Sequence, residues 1–227
     1  MPYNILVTGA TKGIGRELVK QLAAHGHRVF ATGRDTAGLA SQKAETGCLG
    51  EPCDLGDAAA VLRLYAAARA ALGQVDVLVN NAGYNNRKAP LAETTLEEFE
   101  AQYAVNLRAP YLLCREALKE MGARRAGHIL NVISTTVHSA NESMGVYTAM
   151  KAGLRGLTGV LLKEARPLNV KVTAVYPGGV NTGFRQQARP DYMKPESVAT
   201  VILQAIEAPA DVVIHEITLR PIVESNF

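Results

Sequence analysis

Short apolar runs that alternate with longer helical segments along the whole chain constrain its fold more than any other feature. Runs rich in Val, Ile and Leu predict strands at 3–8, 27–32, 75–80, 128–133, 170–176 and 212–219, with a weaker one near 48–53. Helices are predicted at 13–24, 57–72, 95–121, 146–165 and 196–208, and Pro110 should split or bend the third of them. Strands that are apolar throughout are typical of a parallel sheet buried on both faces. The sequence therefore predicts one α/β domain over residues 1–227, a Rossmann-like doubly wound parallel sheet of about seven strands with helices on both faces.

Composition argues against several classes of protein. Hydrophobic residues make up 48% of the chain and charged residues 20%, which is ordinary for a globular protein and not for a disordered one. The net charge of +3 is small and the basic residues are scattered, so no nucleic acid partner is expected. The spacing of Cys48, Cys53 and Cys114 is not that of metal ligands, so no metal site is expected. The odd number of cysteines suits a reduced, cytoplasmic protein. Neither a signal peptide nor a membrane-spanning run is recognised, so no membrane partner is expected.

A glycine-rich turn lies between the first predicted strand and the first predicted helix. It contains Gly9, Thr11, Lys12, Gly13, Ile14 and Gly15. Small residues there let the backbone approach a pyrophosphate, and a helix N-terminus offers free N–H groups and a favourable dipole. A strand-to-helix turn of this composition can also be purely structural, so the turn alone does not decide between the two interpretations.

The end of the second strand bears on the choice of cofactor. Dinucleotides with a free ribose 2′-hydroxyl usually meet an acidic residue near this point. Here Gly33 is followed by Arg34, whose guanidinium suits a 2′-phosphate, and Lys12 can add a second cation. The pair favours NADP over NAD, although both cations can instead be solvated surface charges, and Asp35 argues for NAD.

Two further polar turns follow the third and fourth strands, at carboxyl ends where ligands bind in such sheets. The first is Asp54-Leu55, in which the Asp can hydrogen-bond an adenine amino group or, alternatively, cap the helix that starts near Asp57. The second is Asn80-Asn81-Ala82-Gly83, whose amides are expected both to tie strand ends together and to face the cofactor.

Tyr147 and Lys151 are four residues apart and therefore lie on one face of a helix. A nearby ammonium favours the phenolate, so it lowers the tyrosine pKa toward the working range of an acid/base catalyst. Together with Asn106, Ser134 and the glycine-rich turn, this pair predicts a nicotinamide-dependent oxidoreductase that interconverts carbonyl and alcohol groups.

The chain resembles the short-chain dehydrogenase/reductase family over nearly its whole length. The motifs that carry the resemblance are Thr8-Gly9-Ala10-Thr11-Lys12-Gly13-Ile14-Gly15, Asn80-Asn81-Ala82-Gly83, Tyr147-Thr148-Ala149-Met150-Lys151 and Pro177-Gly178-Gly179-Val180-Asn181-Thr182. Ser134 lies at the expected distance before Tyr147, and Asn106 occupies the helix-asparagine position. The tail at 215–221 looks more like the short NADP-dependent members that reduce ketones or oxidise 3-hydroxy acids.

The resemblance implies a role for each of these residues. Tyr147 would be the general acid in reduction and the general base in oxidation, and Ser134 would hydrogen-bond the carbonyl oxygen. Lys151 would bind the nicotinamide ribose, and Asn106 would hold a water that links the lysine to solvent. Pro177, Gly178, Val180 and Thr182 would flank the nicotinamide amide and the pyrophosphate. In the family the segments 95–121 and 146–165 form an intersubunit helix bundle, so a homodimer or homotetramer is expected.

The substrate is the part that the sequence constrains least. The pocket is expected to involve Ser134, Thr135, His138, Met144, Tyr147 and Gly179, although His138 can equally be a solvated loop residue. No carboxylate is expected to point inward, which favours a neutral ketone or aldehyde. If Arg87 or Arg185 captured a carboxylate, a 3-oxo or 3-hydroxy acid would be favoured instead. The stretch 183–195 is predicted to be the most mobile loop.

Two other functions remain as alternatives. A non-catalytic NADP-binding regulator on the same fold would usually have lost the tyrosine or the lysine, and both are present here. A sugar-nucleotide epimerase or dehydratase would need a larger C-terminal substrate domain than 227 residues allow.

Overall fold

A computed structural model of the chain, described here for residues 2–85, 87–184 and 189–224, contains one seven-stranded sheet. Its strands are β1 (Asn4–Thr8), β2 (Arg28–Thr32), β3 (Leu49–Gly50), β4 (Val77–Asn80), β5 (Gly127–Val132), β6 (Val170–Pro177) and β7 (Glu216–Leu219). The order across the sheet is β3-β2-β1-β4-β5-β6-β7, and every pairing is parallel. The predicted doubly wound parallel sheet is confirmed.

Helices cover both faces of the sheet. They are α1 (Gly13–Ala24), α2 (Thr36–Thr46), α3 (Ala58–Leu72), α4 (Leu96–Tyr103), α5 (Ala109–Arg124), α6 (Thr136–Ser139), α7 (Gly145–Ala165) and α8 (Pro195–Ile206). One hydrophobic cluster packs α1 and α8 against the sheet through residues such as Leu18 and Ile202. A second packs α3, α5 and α7 on the other face through Leu64, Leu113 and Leu161. The two layers explain why the central strands are buried on both sides.

The helix predicted over 95–121 is in fact three segments. A capping box between Thr95 and Glu98 starts α4, a π-helical segment spans Ala104–Arg108, and α5 follows. Pro110 is the second residue of α5, and the backbone is already helical at Arg108 and Ala109, so the proline removes an N–H from a continuous helical run and the irregularity lies in the turn before it. The predicted break exists, but its site is the π-helical segment, which carries Asn106.

Other elements also differ from the sequence predictions. Strand β3 is only two residues long, and β7 begins at Glu216 rather than at residue 212. Helix α2 was not predicted; the Asp35 side chain caps it and Gly47 ends it in a left-handed conformation. The loop predicted at 183–195 includes residues 185–188, which lie outside the described part of the chain; beyond them Met193 pairs with Val180 in an isolated bridge.

The carboxyl ends of β1, β4, β5 and β6 point to one edge of the sheet because all strands run in the same direction. This edge is where the loops with the predicted site residues converge. Among the helices of the described residues, none has both the length and the apolar character needed to cross a bilayer.

Candidate active site

A cleft of about 950 Å³ opens at the carboxyl edge of the sheet. It brings together most of the predicted site residues: Gly9, Thr11, Lys12, Gly13, Ile14, Arg34, Asp54, Leu55, Asn81, Ala82, Gly83, Ser134, Thr135, Met144, Tyr147, Lys151, Pro177, Gly178, Val180 and Thr182. Volumes of this order are typical of pockets for small organic ligands and cofactors.

The glycine-rich turn is joined to the turn after β4 by hydrogen bonds between side chains and backbone. The side-chain amide of Asn81 donates hydrogen bonds to the backbone carbonyl oxygens of Thr8 and Gly9, at 2.9 and 3.2 Å. The Thr8 hydroxyl accepts from the backbone N–H groups of Asn81 and Ala82, both at 3.1 Å. Gly15 packs beneath this junction, where a Cβ would overlap the Gly9 carbonyl and come within 2.5 Å of the Asn81 amide. Gly15 therefore sets the approach of α1 to the sheet and does not line the cleft.

The far end of the cleft, beyond the glycine-rich turn, carries the cations considered for cofactor choice. Arg34 and Lys12 are exposed and line the cleft. Asp35 also lines it, but its carboxylate accepts a hydrogen bond from the Gly38 N–H at 2.9 Å and caps α2. A Cβ added at Gly33 would lie 2.8 Å from Thr11 Cγ2. An acidic side chain, which often occupies this position in dinucleotide-binding folds, would therefore clash with Thr11.

The alternative role considered for Asp54, a cap for α3, belongs to another residue. The Asp57 side chain accepts from the Ala59 N–H at 2.8 Å and caps that helix. The Asp54 carboxylate accepts from the Gly56 N–H at 2.9 Å, which holds its loop, and Asp54 and the buried Leu55 both face the cleft.

Tyr147 and Lys151 lie on the first turns of α7, which packs against β6 and against the π-helical segment. The Lys151 side chain is fully buried, and its ammonium donates to the Val132 carbonyl oxygen at 2.9 Å. It lies 5.8 Å from the centre of the Tyr147 ring. Burial lowers the pKa of Lys151 from 10.5 to about 8, because a charged ammonium loses hydration there.

Asn106 is completely buried behind the cleft rather than in its lining. Its side-chain oxygen accepts from the Tyr84 N–H at 3.0 Å, and its amide donates to the carbonyl oxygens of Tyr84 and Gln102 at 2.7 and 3.0 Å. A Cβ built at Gly83 would be 3.6 Å from the Asn106 oxygen and 3.9 Å from the Lys151 ammonium. Gly83 thus lies between Asn106 and Lys151. The two hydrogen bonds to Tyr84 show that Asn106 fixes the backbone after the Asn-Asn-Ala-Gly turn.

Ser134 lies between β5 and the short helix α6. Its hydroxyl oxygen accepts from the Thr136 N–H at 3.2 Å, while the Thr135 N–H donates to the Pro177 carbonyl at 3.1 Å. These contacts join the ends of β5 and β6, so Ser134, Tyr147 and the Pro177-Gly178 turn meet at one end of the cleft. The Phe184 ring lies 5.9 Å from the Tyr147 ring and covers this end.

The turn after β6 is covered by two side chains that the sequence analysis did not single out. The Gly178 N–H donates to the Leu219 carbonyl at 2.7 Å, and a Cβ at Gly178 would overlap the Glu224 carboxylate. A Cβ at Gly179 would overlap the Tyr192 ring. Gly179 is therefore shielded from the cleft, and glycines are required at both positions because other side chains occupy the space.

Glu224 and Arg220 line the cleft, and both side chains are largely buried. Arg220 Nη1 lies 3.5 Å from Glu224 Oε2. The prediction that no carboxylate faces the pocket is therefore wrong. Arg189 and Tyr192 also line this end. These residues come from parts of the sequence far from the predicted motifs, and no local motif marks them; Tyr84, which was also not predicted, directly follows the Asn-Asn-Ala-Gly turn.

The remaining substrate candidates differ in their placement. His138 is exposed, with its ring 5.1 Å from that of Tyr176, and it is not part of the cleft lining. The Arg87 guanidinium is engaged by the Glu98 carboxylate, at 2.6 and 3.1 Å, and by the Glu93 carbonyl. Arg185 lies outside the described residues. Over the described ranges, no group of three His, Cys, Asp or Glu side chains could hold a metal ion.

Comparison with known proteins agrees with this geometry. The family model described as short chain dehydrogenase matches residues 3–193. This chain belongs to the short-chain dehydrogenase family. An uncharacterized short-chain type dehydrogenase/reductase of Sinorhizobium fredii is 31% identical over 95% of this chain and 90% of its own length. An uncharacterized oxidoreductase of Staphylococcus aureus is 30% identical over 96% of both chains.

Solved structures of the family superpose closely on this chain. The closed form of a serine dehydrogenase complexed with NADP+ has a TM-score of 0.90 and 29% identity, over 97% of this chain and 96% of that one. A metagenomic short-chain oxidoreductase in complex with NADP has a TM-score of 0.86 and 34% identity, over 97% of both chains. Oxidoreductase activity with a nicotinamide cofactor is the general activity of this family.

Proposed function

We propose that this protein is an NADP-dependent oxidoreductase that interconverts a carbonyl compound and its alcohol, with Tyr147 as the general acid and base. The observation that carries the proposal is the presence of Tyr147, Ser134 and Lys151 in one cleft with the glycine-rich turn. A regulator that only binds the cofactor would not require this acid/base set.

The residues of the cleft fit a nicotinamide dinucleotide. The N-terminus of α1 and the backbone of the glycine-rich turn would hold the pyrophosphate, and Asp54 with Leu55 would flank the adenine. Val180 and Thr182 would hold the nicotinamide end, beside Pro177 and Gly178. When bound, the cofactor supplies or accepts the hydride.

NADP rather than NAD is proposed because of the charges at the far end of the cleft. Arg34 and Lys12 offer two cations there, and the N-terminus of α2 adds a favourable dipole. The Asp35 carboxylate is engaged with the Gly38 N–H, which weakens the argument that it binds a ribose 2′-hydroxyl. The NADP complexes of two similar proteins support the same choice.

Each catalytic side chain has a proposed task at a stated atom. The Tyr147 hydroxyl would give its proton to the carbonyl oxygen in reduction and recover it in oxidation. The Ser134 hydroxyl would hydrogen-bond the same oxygen and stabilise its developing charge. The Lys151 ammonium, held by the Val132 carbonyl, would keep a positive charge near the phenol. Asn106 would support them indirectly by fixing the backbone of Tyr84.

The proposed substrate is a small ketone or aldehyde, or the corresponding alcohol. A small 3-oxo or 3-hydroxy acid is the second candidate. The guanidinium groups of Arg189 and Arg220 line the cleft, and a substrate carboxylate would have to compete there with Asp191, 3.0 Å from Arg189, and Glu224, 3.5 Å from Arg220. The similar structure of a serine dehydrogenase also favours a small hydroxy acid.

The proposal is tested by following NADPH and NADH oxidation by the purified protein with a panel of neutral ketones, aldehydes and small 3-oxo acids. Turnover with NADPH well above that with NADH is expected. A protein that binds NADPH but turns over no compound of the panel, in either direction, would be a regulator, and the proposed activity would be wrong.

A homodimer or homotetramer is also proposed. Large apolar side chains are exposed on α4, α5 and α7 and in the segment before α4. They are Leu91, before α4, and Leu96, Phe99, Tyr103, Tyr111 and Val160, on the helices. Exposed apolar side chains that cluster on a surface often mark an interface, and closed symmetry is the common arrangement of such interfaces. Light scattering at micromolar concentration should give a mass of two or four chains; a monomer would contradict the proposal.

The cytoplasm is the proposed compartment. Cys48, Cys53 and Cys114 are buried and form no disulfide. Free thiols persist where glutathione and thioredoxin keep the surroundings reducing.

A further inference from the structure

Arg34 and Tyr84 form a contact across the cofactor cleft. Arg34 follows β2 and Tyr84 follows β4, with β1 between these two strands. Neighbouring strands are about 4.8 Å apart, so the two residues start from strand ends roughly 10 Å apart. The guanidinium carbon of Arg34 nevertheless lies 5.5 Å from the centre of the Tyr84 ring, and both residues line the cleft. This distance is within the range of an attractive cation–π contact.

The two partners differ in how firmly they are held. The buried Asn106 side chain bonds the backbone N–H and carbonyl of Tyr84, at 3.0 and 2.7 Å, so the base of the tyrosine is fixed. Arg34 is exposed, and a long exposed side chain samples many rotamers when nothing orients it. The tyrosine is therefore anchored at its backbone, and the contact orients the longer, exposed arginine side chain.

We propose that Tyr84 is a positioning residue for cofactor choice: its ring holds the Arg34 guanidinium at the adenosine end of the cleft, ready for the 2′-phosphate of NADP. This inference rests on the proposed NADP dependence and deepens it. A guanidinium that the ring already holds loses less rotamer freedom when the phosphate binds. The benefit applies only to a cofactor that carries the 2′-phosphate, so it changes the ratio of NADPH to NADH affinity rather than both affinities together.

The strength of the contact sets the expected size of the effect. A cation–π pair at an exposed site corresponds to about a two- to fivefold change in an equilibrium constant. The direct phosphate contact of Arg34 is worth more, so loss of Arg34 should change the ratio more than loss of Tyr84.

The test measures dissociation constants for NADPH and NADH with four proteins: wild type, Tyr84→Leu, Tyr84→Phe and Arg34→Ala. The Tyr84→Leu variant should bind NADPH about two- to fivefold more weakly relative to NADH. Tyr84→Phe keeps the ring and should keep the wild-type ratio. Since Asn106 bonds only the backbone of Tyr84, both variants retain that anchor, which equal thermal unfolding midpoints would verify.

A double variant separates positioning from any independent contact. In the Arg34→Ala background, Tyr84→Leu should leave the ratio unchanged, because there is no guanidinium left to orient. If Tyr84→Leu left the ratio of NADPH to NADH affinity unchanged, the inference about Tyr84 would be wrong. Arg34→Ala could still lower that ratio, and the proposed NADP dependence would then stand. If Arg34→Ala itself left the ratio unchanged, the proposed 2′-phosphate contact would be wrong and the role of Tyr84 would fall with it.

Discussion

The ammonium of Lys151 and the carbonyl oxygen of Val132 are joined by a buried hydrogen bond of 2.9 Å. The neighbouring residue on the same strand, Asn131, donates from its side chain to the Thr158 hydroxyl at 2.9 Å. Lys151 and Thr158 are two turns apart on α7, so β5 holds this helix at two points. The helix that carries Tyr147 is thereby fixed along its axis.

The burial of Lys151 predicts a specific dependence of stability on pH. Its pKa is lowered to about 8 from the ordinary 10.5, so between these values the unfolded chain binds a proton that the folded protein does not. The stability of the wild type should therefore rise relative to that of Lys151→Met as the pH increases from 8 to 10.5, and the difference should be flat below pH 8. Denaturant unfolding at a series of pH values measures this, and a constant difference across the window would contradict the depressed pKa.

Replacing Tyr147 should separate chemistry from binding. We expect Tyr147→Phe to lower kcat by ~10²–10⁴-fold, because the variant loses the general acid. The dissociation constant for NADPH should change little, since the ring remains and still packs against Phe184. A kcat close to the wild-type value would show that another group donates the proton.

Removing the guanidinium of Arg34 should affect the two cofactors differently. A charged hydrogen bond to phosphate contributes roughly 1.5–3 kcal/mol, so Arg34→Ala should weaken NADPH binding by about 10- to 150-fold. NADH has no 2′-phosphate, and its affinity should hardly change. Fluorescence titration of both cofactors measures the difference, and equal losses would argue against a phosphate contact.

The polar anchor between β5 and α7 should contribute to stability. The Asn131 amide donates to Thr158, and its oxygen accepts from the Asn80 amide at 2.8 Å, all in a buried environment. Thr158→Val keeps the shape but leaves the Asn131 donor without its acceptor, which should lower the free energy of unfolding by about 1–3 kcal/mol.

Thr148 provides the matched control on the same helix. Its buried hydroxyl has no hydrogen-bond partner within the described residues, so Thr148→Val should be neutral or slightly stabilising. Chemical denaturation of the two variants tests the pair. Equal effects would mean that the Asn131–Thr158 hydrogen bond does not stabilise the fold.

The sequence predicted the central strands well because their burial on both faces leaves an uninterrupted apolar signal. Helix α2 carried no such signal, since only Leu39 and Gln42 are buried in it. The π-helical segment was also missed, because a one-residue change of helical register around Asn106 has no marker in the spacing of apolar residues.

The residues of the candidate site also fall into a group that the sequence indicated and a group that it did not. Tyr147, Lys151 and the glycine-rich turn are local patterns, and the sequence indicated their shared location before the fold was known. Glu224, Arg220 and Tyr192 reach the cleft only through tertiary contacts with Gly178 and Gly179, so no short motif could have found them. The wrong expectation of a pocket without a carboxylate follows directly from that omission.

The cover that Glu224 provides over Gly178 has a consequence for how the protein is made. Residues 216–224 leave the ribosome after every other described part of the cleft, and domains begin to form while synthesis continues. Helix α1 packs against α8, and the wall beside Gly178 and Gly179 needs β7 and the segment after it, so both ends of the cleft depend on residues that are synthesised late. The complete cleft therefore forms only after residues 216–224 have left the ribosome.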